Sequence, residues 1–235
     1  ALKKNVKKFI FASSCSSYGF GGNSARTENS KINPLTAYAK SKVKFEKFLE
    51  KNKDKNIDII ILRFATACGA SPRLRLDLVL NDFVYFAVKY KKILIKSNGK
   101  PLRPLIDVED MCKIMKWSIH VKRKNFLIVN AGSNINNYSV NEIAMKVKKI
   151  FRDKVQIELN DKLPDDKRSY KVNFDKLKKN YPNFKPKSLS KTILELTALT
   201  KKIVANNKKK KNLIRLDYLG NLIKKGKLSN HLIWR

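Results

Sequence analysis

Cysteine is scarce in this chain. Cys15, Cys68 and Cys112 are widely spaced, odd in number and form no C-x-x-C pair. That excludes a disulfide framework and a cysteine zinc site, leaves no metal to expect, and fits a reducing, cytoplasmic setting. Long apolar runs are missing as well. The longest, Ile57–Leu62, is broken by Asp58 and ended by Arg63, far short of the roughly 20 residues of a membrane helix. Ala1-Leu2-Lys3-Lys4-Asn5 leads straight into a strand-like run and does not read as a signal peptide. No membrane partner is expected.

Acidic residues are also few, 19 against 53 lysines and arginines, for a formal net charge of +34. A dedicated nucleic-acid reader gathers its basic residues on one face beside aromatic or groove-reading elements. Here lysine is spread over nearly every segment, with one tight run at Lys208–Lys211. The charge reads as a solvated surface with affinity for anionic small molecules, and adhesion to nucleic acid is expected to be non-specific and salt-sensitive. A non-catalytic basic nucleic-acid-binding protein is the alternative of another class.

What is present is alternating apolar strand and helix patterning over 235 residues, 43% hydrophobic, enough for one domain or two small ones. Lys8–Ser13 reads as a buried strand ending in the hydroxyl-rich turn Ser13-Ser14-Cys15-Ser16-Ser17-Tyr18-Gly19. Gly19–Asn33, with its Gly21-Gly22 pair, reads as a loop. Pro34 and Thr36 precede a helix running to about Asn52, and Ile57–Leu62 is a second strand, giving a parallel strand–helix–strand unit. Further along, the pattern predicts a helix over Asp77–Val88, a strand over Ile93–Ile95, and Arg103–Asp110 leading into a helix that ends near His120. Phe126–Val129 follows as a strand. Ser139-Val140-Asn141-Glu142 has the form of a capping box opening a helix to about Phe151. Then come a strand at Val155–Leu159, a loop at Asp161–Lys167, a short helix near Asp175–Lys179 and a long one from Ser188 to Ala205, with a charged linker at Asn206–Asn212.

Tyr38 and Lys42 stand four residues apart in the first helix and therefore share one face. An ammonium beside a phenol favours the phenolate and draws its ionisation from near pH 10 toward neutrality, which makes a tyrosine usable as a general acid or base. Tyr-x-x-x-Lys alone also occurs by chance in a lysine-rich amphipathic helix.

Taken in order, several pieces accompany that pair. They are Phe11-Ala12-Ser13-Ser14-Cys15-Ser16-Ser17-Tyr18-Gly19, then Pro34, then Tyr38-Ala39-Lys40-Ser41-Lys42 with Glu46. Leu62-Arg63 with Gly69 and Arg103 ahead of Val108-Glu109-Asp110 follow, and then Asn130-Ala131-Gly132 and Arg168-Ser169-Tyr170. In this order the chain resembles the extended short-chain dehydrogenase/reductase family, and within it the NAD-dependent nucleotide-sugar epimerases and dehydratases. The resemblance covers nearly the whole chain. It implies an α/β fold: the C-terminal part of a parallel, doubly wound Rossmann domain (residues 1–72 and 105–132) plus a smaller α/β nucleotide-sugar-binding domain (residues 73–104 and 133–235). It implies NAD as cofactor, with NADP as the variant, a nucleoside-diphosphate sugar as substrate, and a homodimer of the full-length protein.

Carried over by position, the resemblance makes Ser14, Tyr38 and Lys42 catalytic. Ser14 would hydrogen-bond the reacting sugar oxygen, Tyr38 would move the hydroxyl proton, and Lys42 would support Tyr38 and hold the nicotinamide ribose. Ser13, Phe64 and Ala65 would join Tyr38 and Lys42 around the cofactor. Thr66, which stands where many members have asparagine, Asp77, Leu78, Arg103 and Arg168 would meet the substrate, with Arg103 suited to a bidentate hold on the diphosphate.

Two departures refine this. The 4,6-dehydratase branch carries an Asp-Glu pair after its catalytic hydroxyl, and here Cys15 and Ser16 occupy those places, which disfavours dehydration. Transient oxidation of a sugar carbon, as in an epimerase, is the expected reaction; a keto-sugar reductase or a 4,6-dehydratase is the alternative. The family also opens with a G-x-x-G-x-x-G turn that receives the cofactor's pyrophosphate on a helix N-terminus. No such turn occurs in these residues, so the chain is expected to be an N-terminally truncated piece of the enzyme, inactive alone if that turn is indispensable; a degenerate relative that does not hold NAD in the usual way is the alternative.

Overall fold

The computed structural model describes residues 6–22, 24–53, 56–122, 125–152, 154–160, 168–206 and 213–234. The loop expected at Asp161–Lys167 and the lysine run Lys208–Lys211 lie outside the described residues.

The organising layer is a parallel sheet of β1 (Lys8–Ser14), β2 (Asp58–Phe64) and β6 (Phe126–Ala131), with β2 in the centre. The central strand, Asp-Ile-Ile-Ile-Leu-Arg-Phe, is buried along its whole length, as a strand covered on both faces must be. Its side chains alternate. Ile59 and Ile61 enter a cluster with Leu49, Phe9, Phe11 and Phe45 beneath helix α1 (Ala37–Glu50). Ile60, Leu62 and Phe64 point the other way, into a cluster with Val129, Ile114, Tyr170 and Phe174. β1 is only half-buried and pairs with β2 alone among the described residues, so its outer edge is open.

Helix α1 begins where Thr36, in extended backbone, accepts a hydrogen bond from Ala39 N at 3.1 Å, the N-cap the sequence indicates. Helix α3 (Val108–His120) covers the opposite face; its last carbonyls receive Lys8 Nζ, 2.7 Å from both Ile119 O and Val121 O. A cation there complements the helix C-terminus.

A third apolar cluster brings together α2 (Val79–Tyr90), α4 (Val140–Ile150) and α6 (Leu189–Ala205) with β4 (Lys92–Ile95) and β8 (Gln156–Leu159). β4 and β8 pair in parallel. The capping box of α4 is complete: Glu142 N donates to Ser139 Oγ at 3.1 Å, and Ser139 N donates to Glu142 Oε2 at 2.6 Å.

Three short strands escaped the sequence reading: β3 (Thr66–Cys68), β5 (Leu102–Asp107) and β7 (Asn137–Ser139), joined in the order β3-β5-β7. Arg103–Asp107 is therefore strand rather than the run-in to a helix, and α2 starts at Val79 rather than Asp77. α5 (Asp175–Asn180) and α7 (Arg215–Lys224) are the remaining α-helices among the described residues.

Ions clasp the α3 side of the sheet to α6 of the third cluster. Lys187 Nζ lies 2.5 Å from Glu109 Oε2, 2.7 Å from Glu195 Oε2 and 3.5 Å from Asp107 Oδ1. Asp107, at the end of β5, also accepts from Thr192 Oγ1 at 2.7 Å and from Glu109 N at 2.8 Å. Desolvation alone would lower the Lys187 ammonium, but its bonds to Glu109 and Glu195 hold it above the ordinary lysine value. Among the described residues no helix is long and apolar enough to cross a membrane.

Candidate active site

In open α/β sheets the carboxyl ends of the parallel strands form the ligand-facing rim. Here that rim is the row Ser14, Phe64 and Ala131, adjacent in register, with Ser13, Arg63 and Asn130 one residue behind.

β1 runs out into a 3-10 turn, Cys15–Tyr18, whose N-cap is Ser14. Ser14 Oγ accepts from Ser16 N at 3.2 Å and from Ser16 Oγ at 2.9 Å. A hydroxyl has two acceptor positions and one proton. With both acceptor positions used, what Ser14 has left to offer a ligand is its proton.

Helix α1 lies over the same rim. Lys42 Nζ donates to Ala12 O at 2.8 Å and stands 5.6 Å from the Tyr38 ring centroid and 4.9 Å from that of Phe11. The lysine therefore bridges the tyrosine and the last residues of β1. Tyr38 is 56% exposed, and its phenol has no hydrogen-bond partner among the described residues. Ser13, Ser14, Lys42 and Tyr38 are thus gathered at one strand end. Phe64 and Ala65 continue the rim, both buried, with Ala65 N donating to Ala131 O at 2.9 Å.

The remaining sequence-derived residues form two further groups. Arg103 Nη1 donates to Leu102 O at 2.8 Å and to Arg168 O, which brings Arg103 and Arg168 together across 65 residues. Both lie close enough to Tyr170 to act on its phenol electrostatically, with Thr66 of β3 beside that phenol. Burial pushes Tyr170 up to about 12, so it remains a protonated donor near neutrality.

The second group is at the start of α2. Asp77 is held by Arg75, with Nε to Oδ1 at 3.0 Å and Nη2 to Oδ2 at 2.7 Å. Burial alone would raise the Asp77 carboxyl, but the Arg75 fork holds it below its ordinary value. Leu78 is the N-cap position of α2 and offers no side-chain cap.

Sequence reasoning passed over Arg75 and named Tyr170 within the Arg168-Ser169-Tyr170 run without giving it a role. Arg75 lies within electrostatic reach of the Tyr38 phenol, and Arg215 at the start of α7 within reach of Asp77. Nothing in the spacing of Arg73, Arg75 and Asp77 singles out the middle residue; the fold does. Cys15, next to Ser14, is buried and donates Sγ–H to Arg63 O at 3.0 Å. Burial pushes its thiol above the ordinary value, so it is no acid or base near neutrality.

Solved structures share this fold. The UDP-glucuronic acid 4-epimerase of Bacillus cereus, in complex with UDP-glucuronic acid and NAD, matches with a TM-score of 0.74 at 23% identity over 86% of this chain and 65% of its own. The UDP-glucose 4-epimerase of Bifidobacterium longum, in complex with NAD+ and UDP, matches with a TM-score of 0.73 at 23% identity over 87% of this chain and 66% of its own. TunA, an NAD-dependent NDP-hexosamine 5,6-dehydratase, matches with a TM-score of 0.73 at 17% identity over 88% of this chain and 66% of its own. The chain thus spans about two thirds of the length of these structures, and at these identities the likeness establishes the Rossmann-type fold. The sequence pattern of the NAD dependent epimerase/dehydratase family matches residues 1–132, more than half of the chain and the part that carries the Ser14, Tyr38 and Lys42 rim, and the chain belongs to that family.

Proposed function

We propose that this chain carries the proton-transfer half of an NAD-dependent nucleotide-sugar epimerase. The observation that carries the reading is the Tyr38–Lys42 pair at the C-terminal end of β1, with an ammonium 5.6 Å from the tyrosine ring, a phenol unpartnered among the described residues, and Ser14 at the same strand end. Tyr38 takes the proton of a sugar hydroxyl, Ser14 donates its free O–H to the same oxygen as it becomes a carbonyl, and Lys42 stabilises negative charge on the Tyr38 oxygen. NAD held at this rim would supply the hydride-transfer chemistry at the carbon. Tyr38 returns its proton to the same oxygen, and re-reduction on the other face would give the inverted sugar.

NAD fits this rim in part. Lys42 uses one of its three ammonium protons on Ala12 O, which leaves donors for a ribose, and Phe64 and Ala65 offer an apolar wall for a nicotinamide. The pyrophosphate has no glycine-rich turn in these 235 residues to receive it. The open outer edge of β1 is where a strand carrying such a turn would add to the sheet. On this reading residues 1–72 and 105–132 hold the cofactor side, and residues 73–104 and 133–235, with Arg75, Asp77, Arg103 and Arg168, hold the nucleotide sugar. The buried thiol of Cys15 and the Ser16 hydroxyl bonded to Ser14 speak against 4,6-dehydration. One-way reduction of a keto-sugar, with NADPH as the other donor, uses the same Ser14, Tyr38 and Lys42.

The test is to supply UDP-hexoses with either NAD or nicotinamide mononucleotide at saturating concentration and to follow the product's configuration by NMR. A chain that grips only the nicotinamide side should turn over with the two cofactors at rates within about tenfold of each other. A preference for NAD of about 1,000-fold would refute the half-site reading. Net consumption of reduced cofactor without inversion would mark the reductase.

A further inference from the structure

The α1-covered face of the sheet is apolar from Phe9 through Ile61 and Ile128, yet its last row is Ser13–Arg63–Asn130, three polar side chains in register and all buried. Glu46 of α1 descends onto this row. Its carboxylate accepts Arg63 Nη2 at 2.7 Å and Arg63 Nε at 3.1 Å from both oxygens, and it also accepts the Ser13 hydroxyl. Arg63 Nη1 donates to Tyr18 Oη at 3.1 Å, and Tyr18 in turn donates to Asn130 Oδ1 at 2.7 Å. Glu46 and Arg63 are 4% and 3% exposed.

A buried ion pair of this kind adds little net stability over well-packed apolar residues, because desolvation offsets the attraction. What it adds is direction. Tyr38, Lys42 and Glu46 are spaced i, i+4 and i+8 along one stripe of α1, and the last residues of β1 are fastened to that stripe in succession: Ala12 O by Lys42, Ser13 by Glu46. Ser14 comes next. Tyr18, at the far end of the turn that Ser14 opens, is fastened to the same guanidinium.

We infer that Glu46 and Arg63 are positioning residues, which set the distance and angle between the Ser14 turn and the Tyr38–Lys42 stripe by locking β1, β2 and α1 to one buried carboxylate, with β6 joined through Tyr18. The inference rests on the proton-transfer reading of Tyr38 for its catalytic meaning. The lock itself is a property of the 235-residue chain that can be measured without turnover.

The experiment uses Arg63→Lys, which keeps the charge and loses the fork, the double variant Glu46→Leu/Arg63→Met, which removes both charges at similar volume, and Leu49→Ala as a plain core defect on the same helix. Amide hydrogen exchange is followed at Gly19 and Asn33, whose N–H groups bond Ser16 O and Ser17 O, and at Asn141 and Asn160, which bond Gly99 O and Ile95 O in the other lobe. In both Arg63 variants Gly19 and Asn33 should exchange at least about tenfold faster while Asn141 and Asn160 change less than about twofold. Leu49→Ala should move all four together if it acts through global unfolding. Unchanged exchange at Gly19 and Asn33, or an equal rise at all four amides in the Arg63 variants, overturns the positioning role. In turnover, the same variants should lose about 100-fold in kcat with little change in KM, since misplacement by about 1 Å is enough for that. If Tyr38→Phe leaves turnover intact while the exchange pattern holds, the function reading fails and the lock survives.

Discussion

Gly19 closes the turn that Ser14 opens, and replacing it by alanine is a severe test of how tightly that turn is built. Its φ of +62 and ψ of −104 lie where L side chains are strained, and holding alanine there costs about 1–3 kcal/mol. A Cβ at this position would stand 1.8 Å from Asn33 O and 3.1 Å from Leu35 Cγ. The nearer obstacle is backbone, so the 33–35 segment has to retreat by about 1 Å or more, at an overpacking cost of about 1–3 kcal/mol. That retreat also strains the Asn33 N to Ser17 O bond of 2.9 Å, which contributes about 1 kcal/mol. Against these stands a gain of about 0.4–1 kcal/mol from the stiffer unfolded chain. The net expectation for Gly19→Ala is a loss of about 3–4 kcal/mol, a large share of an ordinary domain's stability. Gly22→Ala is the internal control: φ is +61 there, but no atom lies within 4 Å of the added carbon, so only the strain remains and the net change should be about 1 kcal/mol or less. Urea denaturation reads both. With a slope of about 2 kcal/mol/M, Gly19→Ala should lower the midpoint by roughly 1.5–2 M at unchanged slope. Midpoints for the two variants that agree within about 0.25 M would refute the steric reasoning.

Ile193, fully buried between α6 and its neighbours, should cost about 2–5 kcal/mol when cut to alanine, read in the same urea experiment. Ser139→Ala removes the hydroxyl half of the α4 capping box and should cost about 1 kcal/mol, seen as a lower thermal midpoint. The Lys187 clasp predicts an acid limb. Hydrogen bonds from Lys187 and Lys113 lower the Glu109 carboxyl from 4.5 to about 2. A carboxyl depressed on folding favours the folded state above its unfolded value, and this contribution is lost as pH falls from about 4.5 through about 2. The thermal midpoint of the natural chain should therefore drop more steeply across that window than that of Glu109→Gln; parallel curves would count against the clasp.

The regular elements were legible because burial imposes a period. β2 shows a run of apolar residues that only a doubly covered strand tolerates, and Thr36 and Ser139 announce their helices by capping chemistry. β3, β5 and β7 were not legible. Each is short, and β5 (Leu-Arg-Pro-Leu-Ile-Asp) carries a buried arginine and a proline whose tolerance is decided by neighbours: Arg103 is satisfied by Arg168 O, far away in sequence. The Tyr38, Lys42 and Ser14 constellation could be found from spacing and resemblance because two of its members share a helix face. The ion pair beneath it could not be assigned a role. Glu46 and Arg63 stand 17 residues apart, and only the parallel register of β1, β2 and β6 brings Ser13, Arg63 and Asn130 side by side under α1. Arg75 was missed for the opposite reason: it has an arginine two residues before it, and the direction of the chain between β3 and α2 decides which one approaches Tyr38.

The most direct test of the account is single-turnover hydride transfer from a UDP-hexose at saturating NAD, followed by the appearance of reduced nicotinamide, in the natural chain and in Tyr38→Phe. Phenylalanine keeps the ring and removes only the phenolic oxygen, which has no hydrogen-bond partner among the described residues. Loss of a general base costs about 100- to 10,000-fold, so the account predicts measurable transfer in the natural chain and a fall of at least about 100-fold in the variant. Equal rates in the two proteins would contradict it.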